Sequence, residues 1–104
     1  MNRFVFLSGL VLSALMPALA SDLDDARLLY RSGKYAEAEE FAQQQVEAGI
    51  WNERWPRLLI DCQMVQGKYA EATKTYEDAI RRYPTSLTLR MKGLQAFRDA
   101  SKPQ

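Results

Sequence analysis

Arginine is the side chain here best suited to chemistry. Arg27 and Arg31 stand one helical turn apart, and Arg54, Arg57 and Asp61 recur at intervals of three and four, so each set falls along one strip of a helix. A guanidinium donates paired hydrogen bonds to a carboxylate, so clustered arginines suit an acidic peptide or a carboxylate group. The same spacing also allows a plainer arrangement. In it Arg57 and Asp61 pair across one turn and the other arginines are solvated, at about a few tenths of a kcal/mol each.

Catalysis has less to build on. The chain holds no histidine, which removes the commonest acid-base group and metal ligand. Glu37, Glu39 and Glu40 lie on a polar face. No serine or cysteine has a basic partner in view, and no Gly-rich phosphate loop occurs. The expectation is a protein without catalysis, cofactor or metal. Cys62, the single cysteine, can form no intramolecular disulfide and reads as a small apolar core residue.

Met1-Asn2-Arg3, an apolar run from Phe4 to Met16, and Pro17-Ala18-Leu19-Ala20 have the layout of a signal peptide cleaved after Ala20. The run is shorter than the roughly 20 residues needed to span a bilayer, and Pro17 ends it, so no stable membrane span is expected after cleavage. The protein is accordingly expected in the periplasm or secreted. With 14 Lys and Arg against 13 Asp and Glu in the whole chain, losing Arg3 leaves residues 21–104 neutral. That balance does not suggest nucleic acid as a partner. Residues 21–100 read as one small domain and 101–104 as a disordered tail.

The elements that must position the arginines are marked by a repeat. Gly33-Lys34-Tyr35-Ala36-Glu37-Ala38 returns as Gly67-Lys68-Tyr69-Ala70-Glu71-Ala72, about one 34-residue helical-repeat period later. Each glycine permits the positive φ of a helix-turn-helix corner, and the alanines that follow let paired helices approach closely. Five helices follow from the periodicity: about 22–32, capped by Ser21; 35–48, closed by Gly49; 53–66, capped by Asn52; 69–83, stopped by Pro84; and 87–100, capped by Ser86.

The first is expected to bury Leu23, Ala26, Leu29 and Tyr30, and the second Tyr35, Ala38, Phe41, Ala42 and Val46. In the third, Trp55, Leu58, Leu59, Cys62 and Val65 form one broad face that Ile60 and Met64 widen, as in a helix packed from two sides. The fourth should bury Tyr69, Ala72, Tyr76, Ala79 and Ile80. The last should lay Leu87, Met91, Leu94 and Phe97 over Tyr69, Tyr76 and Ile80, leaving Leu89 outward. Trp51 and Trp55 suit packing at the joint between repeats, and Arg81-Arg82 suits the negative end of a helix dipole.

Ala72, Tyr76, Ala79 and Pro84, with Gly67 and Tyr69, give the second repeat a pattern of small residue, aromatic, small residue and closing proline. In this the chain resembles the tetratricopeptide-repeat family over almost all of residues 21–104. The first repeat is looser, with Ala42, Gln45 and Ile50 at positions of usual aromatic, small residue and proline. First helices depart too, at Pro56 and Gln63, while Gly93-Leu94 reverses the usual order. The resemblance implies an all-α solenoid of helix-turn-helix hairpins, about two and a half repeats long.

It further implies that the first helix of each repeat lines a concave groove whose exposed residues meet a partner. Those residues would be Arg27, Arg31, Arg54, Arg57, Asp61, Gln95 and Arg98. The expected activity is that of an exported scaffold binding a protein or peptide, an acidic one being favoured, with self-association through the last helix as a further mode. The family's carboxylate clamp uses Lys and Asn, and no Asn stands on these helices. The alternative reading is a non-catalytic front section of a longer secreted hydrolase or envelope assembly protein.

Overall fold

A computed structural model describes residues 21–102. The expected signal peptide, residues 1–20, lies outside the described residues, as do Pro103 and Gln104. Helix accounts for 77% of what is described and no strand occurs there, so the architecture is all-α and only short turns join its parts. The helices are α1 Asp22–Arg31, α2 Tyr35–Glu47, α3 Arg54–Val65, α4 Tyr69–Arg82 and α5 Leu87–Ala100.

Local chemistry sets most of the boundaries. The Ser21 hydroxyl accepts from the Asp24 amide at 2.9 Å, with three aspartates in the first turn favouring the positive end of the dipole. Ser86 Oγ accepts from the Leu89 amide at 3.2 Å. Asn52 Oδ1 accepts from the Arg54 amide at 3.0 Å, so α3 begins one residue later than expected. Pro56 then lies in the first turn, where its missing amide hydrogen costs no intrahelical bond.

The two corners share one geometry. Gly33 has φ 81° and Gly67 φ 77°, and the lysines that follow have nearly the same angles, φ −88° and ψ 64° at Lys34, φ −88° and ψ 62° at Lys68. Lys34 donates its amide to the Leu29 carbonyl at 2.9 Å and Lys68 to the Gln63 carbonyl at 2.8 Å. Both closures reach back across a left-handed glycine to satisfy a terminal carbonyl. The recurring hexapeptide therefore marks recurring structure, and the fold is a helical repeat-like stack.

In that stack α1 packs on α2 and α3 on α4, while α2 also meets α3 and α4 meets α5. The first helices touch one another, α1 with α3 and α3 with α5, whereas the Cα atoms of α2 and α4 stay more than 8 Å apart. The first helices thus lie nearer one another than the second helices do. One buried cluster joins Leu23 and Ala26 to Ala38, Ala42, Trp55, Leu58, Leu59 and Cys62, and a second joins Ile60 to Ala72, Ala79, Leu89 and Ala96. Helix α3 contributes to both, as its wide apolar girth requires. Val65 departs from expectation: as the last residue of α3 it is exposed. Leu29, Tyr30, Phe41, Val46, Met64, Tyr76 and Ile80 are partly buried at the edges of the two clusters.

The expected packing of the last helix is overturned. Leu89, Gly93 and Ala96 are buried, and Leu87, Met91 and Leu94 are 70%, 64% and 63% exposed. The cause is steric. A Cβ on Gly93 would come within 2.5 Å of the Tyr76 ring, so the absence of a side chain at this point lets α5 approach α4 this closely. Phe97 stays at the margin, 44% exposed, with its ring edge-on to Tyr76 at 6.1 Å between centroids.

The joint between hairpins is held by Arg82, which reaches back to donate to the Gly49 carbonyl at 2.7 Å. Its guanidinium lies 4.2 Å from the centroid of the Trp51 ring. Trp51 is otherwise 70% exposed, whereas Trp55 is buried and stacks on Phe41 at 5.5 Å.

Candidate functional site

On the side where the first helices touch, Arg27 of α1, Arg54, Arg57, Leu58 and Asp61 of α3, and Lys92 of α5 line one recess of about 60 Å³. Four of the seven groove residues expected from sequence are thereby brought together. Arg31, Gln95 and Arg98 are exposed and do not line it. Lys92 was missed. It takes the place of Gln95 and Arg98 as the contribution of α5, because the helix turns its Leu89 and Ala96 side inward and carries Lys92 with it. Its signal was its spacing of three from Leu89 and four from Ala96, readable only once that side is known to be buried.

The ion pairs differ from the Arg57–Asp61 pair that the spacing allows. Asp61 instead accepts from Lys92 Nζ at 2.6 Å, a bond between α3 and α5. Arg57 faces Glu53, one turn back, at 3.6 Å. Glu53 also accepts from the Ser86 hydroxyl at 2.6 Å, which fixes the carboxylate between α3 and the cap of α5. Among the described residues Arg27 and Arg54 form no ion pair, and Arg57 Nε is buried with no hydrogen-bond partner. The recess thus carries an excess of positive charge, from Arg27 and Arg54, beside a buried donor that no group among the described residues satisfies.

A roomier cleft, about 250 Å³, opens between α2, α3 and α4, walled by Val46, Ile50, Pro56, Leu59, Ala79 and Tyr83. The one cation on its wall, Arg82, is already engaged with Gly49 and Trp51, and Asp78 is paired with Lys74 and Arg81. The cleft is larger than the recess and also holds a buried group without a partner, the Tyr83 hydroxyl, but of the two only the recess carries cations with neither an ion pair nor a side-chain hydrogen bond among the described residues, Arg27 and Arg54.

Glu39, Lys68 and Cys62 are used structurally. Glu39 accepts from Gln66 Nε2 at 2.8 Å and from Lys68 Nζ at 2.9 Å, tying α2 to the second corner. That bond holds the Lys68 pKa above its ordinary value. Burial pushes the Cys62 thiol up to about 12, with Asp61 and Glu39 adding to the shift, so the side chain is a neutral core residue and a poor nucleophile. Among the described residues no group of three or more His, Cys, Asp or Glu side chains is placed to hold a metal, and no helix is long and apolar enough to cross a membrane.

No protein-family model, curated protein or solved structure matches the chain.

Proposed function

We propose that this protein is an exported, non-catalytic interaction module of the tetratricopeptide-repeat kind, which holds an acidic peptide or protein segment against the first-helix side of its stack. The observation carrying this reading is the convergence of Arg27, Arg54, Arg57 and Lys92, from three different helices, on one recess with a single carboxylate, Asp61, among its lining residues. Cations drawn from α1, α3 and α5 suit a ligand that crosses all three helices. An extended acidic chain does so, and each guanidinium can grip a carboxylate through two hydrogen bonds. The twin glycine corners support the repeat assignment, and the leader-like layout of residues 1–20 supports export.

The test is affinity capture from periplasmic and culture-supernatant extracts with the wild-type protein and an Arg27→Glu/Arg54→Glu variant, both checked for native helicity. The proposal predicts proteins retained by the wild type at low salt that the variant loses. The same set retained by both would contradict it.

A further inference from the structure

We infer that the exposed face of α5 is a docking site for one acidic, alanine-faced amphipathic helix of a partner protein, lying where α2 lies on α1 and α4 lies on α3. The site is separate from the charged recess. The chain itself shows how such a face is covered. Ala26 stands seven residues before Gly33, and Ile60 seven before Gly67; each is buried, at 0% and 1% exposure, in a cluster that includes two alanines of the helix that follows its corner. Leu94, one repeat period after Ile60, occupies the equivalent place and is 63% exposed. Phe97, equivalent in the same way to the buried Gln63, is 44% exposed. Leu87 and Met91 extend the apolar strip along α5 beyond these two, at places equivalent to Glu53 and Arg57, which α4 leaves partly exposed. Four large apolar side chains side by side on one helix exceed the scattered singles normal for a surface.

The occupant's chemistry is read from the same comparison and from charge. The helices that cover α1 and α3 present alanines, Ala38 and Ala42 in one and Ala72 and Ala79 in the other, all buried. The cations bordering the patch are Arg90 and Arg98, and the nearest acid on α5, Asp99, is paired with Lys102. A helix with alanines toward Leu94 and carboxylates on its flanks matches both features. Of the two covering helices, α2 has that composition, with Glu37, Glu39, Glu40 and Glu47 against Lys34 at its cap. A second copy fits less well, because it would bring further arginines to the same patch.

The probe is a synthetic peptide with the sequence of residues 34–48, blocked at both ends, titrated into the full chain with methyl-labelled methionine. A saturable shift of the Met91 methyl signal is expected, and Leu94→Lys, a change at an exposed position that folding tolerates, should weaken it at least tenfold. Arg27→Glu/Arg54→Glu should leave the shift unchanged, which separates this site from the recess. No saturable shift up to millimolar peptide would overturn the inference, as would a shift that survives Leu94→Lys. A concentration-dependent dimer by sedimentation, with the Met91 signal moving in the absence of peptide, would overturn it in favour of a second copy.

Discussion

The ring of Tyr76 fills the space that a Cβ on Gly93 would need, with three ring carbons 2.5 to 2.6 Å from where it would stand. Helix propensity alone makes Gly93→Ala stabilising by about 1 kcal/mol. The contact reverses that sign, because an added methyl must push α5 away from α4, and overpacking of this kind costs about 1–3 kcal/mol. Urea unfolding of Gly93→Ala should therefore show a net loss of stability, and adding Tyr76→Leu should restore most of it. A stabilised Gly93→Ala would show that α5 does not pack through this face.

At the corners the cost is in the backbone alone. Gly33 and Gly67 have positive φ and nothing within 4 Å of a built Cβ. Alanine at either should cost about 1–2 kcal/mol through the left-handed conformation, and asparagine less. The two losses should agree closely, as measured by chemical denaturation. A large loss at one corner and none at the other would break the equivalence of the two hairpins.

Arg82 joins elements 33 residues apart in sequence, from the Gly49 carbonyl to the Trp51 ring. Arg82→Ala should cost about 1 kcal/mol, since both contacts are partly solvated. Trp51 emission, followed in a Trp55→Phe background, should change as the cation leaves the ring. An unchanged spectrum would show that the joint is held by other contacts.

The Cys62 thiol makes stability fall in alkali. Its pKa is raised, so the folded state holds the neutral form; this contribution is whole below the ordinary value of 9.0 and is lost as pH rises toward about 12. At pH 10 the loss attributable to Cys62 is about 1 kcal/mol. The same direction holds for Lys68 and for Tyr30, whose pKa is raised chiefly by burial. Those groups remain in Cys62→Ala and cancel in the comparison. Urea midpoints at pH 8 and pH 10 should therefore converge for wild type and variant, the wild type losing more. Parallel pH profiles would contradict burial of the thiol.

The parts of this fold legible in sequence are those set by near neighbours. Gly33 and Gly67 declare their corners because only glycine is at ease with positive φ, and Ser21 and Ser86 declare helix starts through hydroxyls that reach three residues on. The face of α5 was not legible, since Leu87, Met91, Leu94 and Phe97 outweigh Leu89, Gly93 and Ala96 in apolar area. Packing was decided instead by how near Tyr76 could come. Gln95 and Arg98, named from the resemblance, lie exposed outside the recess, and the misjudged rotation hid Lys92. Within α3, spacing alone suggested that Arg57 pairs with Asp61, but Glu53 and Lys92 offer each a partner that the strip itself does not reveal.

The claim that the recess receives carboxylates is tested most directly by side-chain ¹⁵Nε resonances of the arginines, followed as the protein is titrated with a blocked hexaglutamate peptide at low salt. The account predicts that Arg27, Arg54 and Arg57 shift together along one saturation curve, that Arg31 and Arg98 lag behind, and that Arg54→Glu abolishes the response at Arg27 and Arg57. Equal small shifts at all exposed arginines, or none at Arg57, would contradict it.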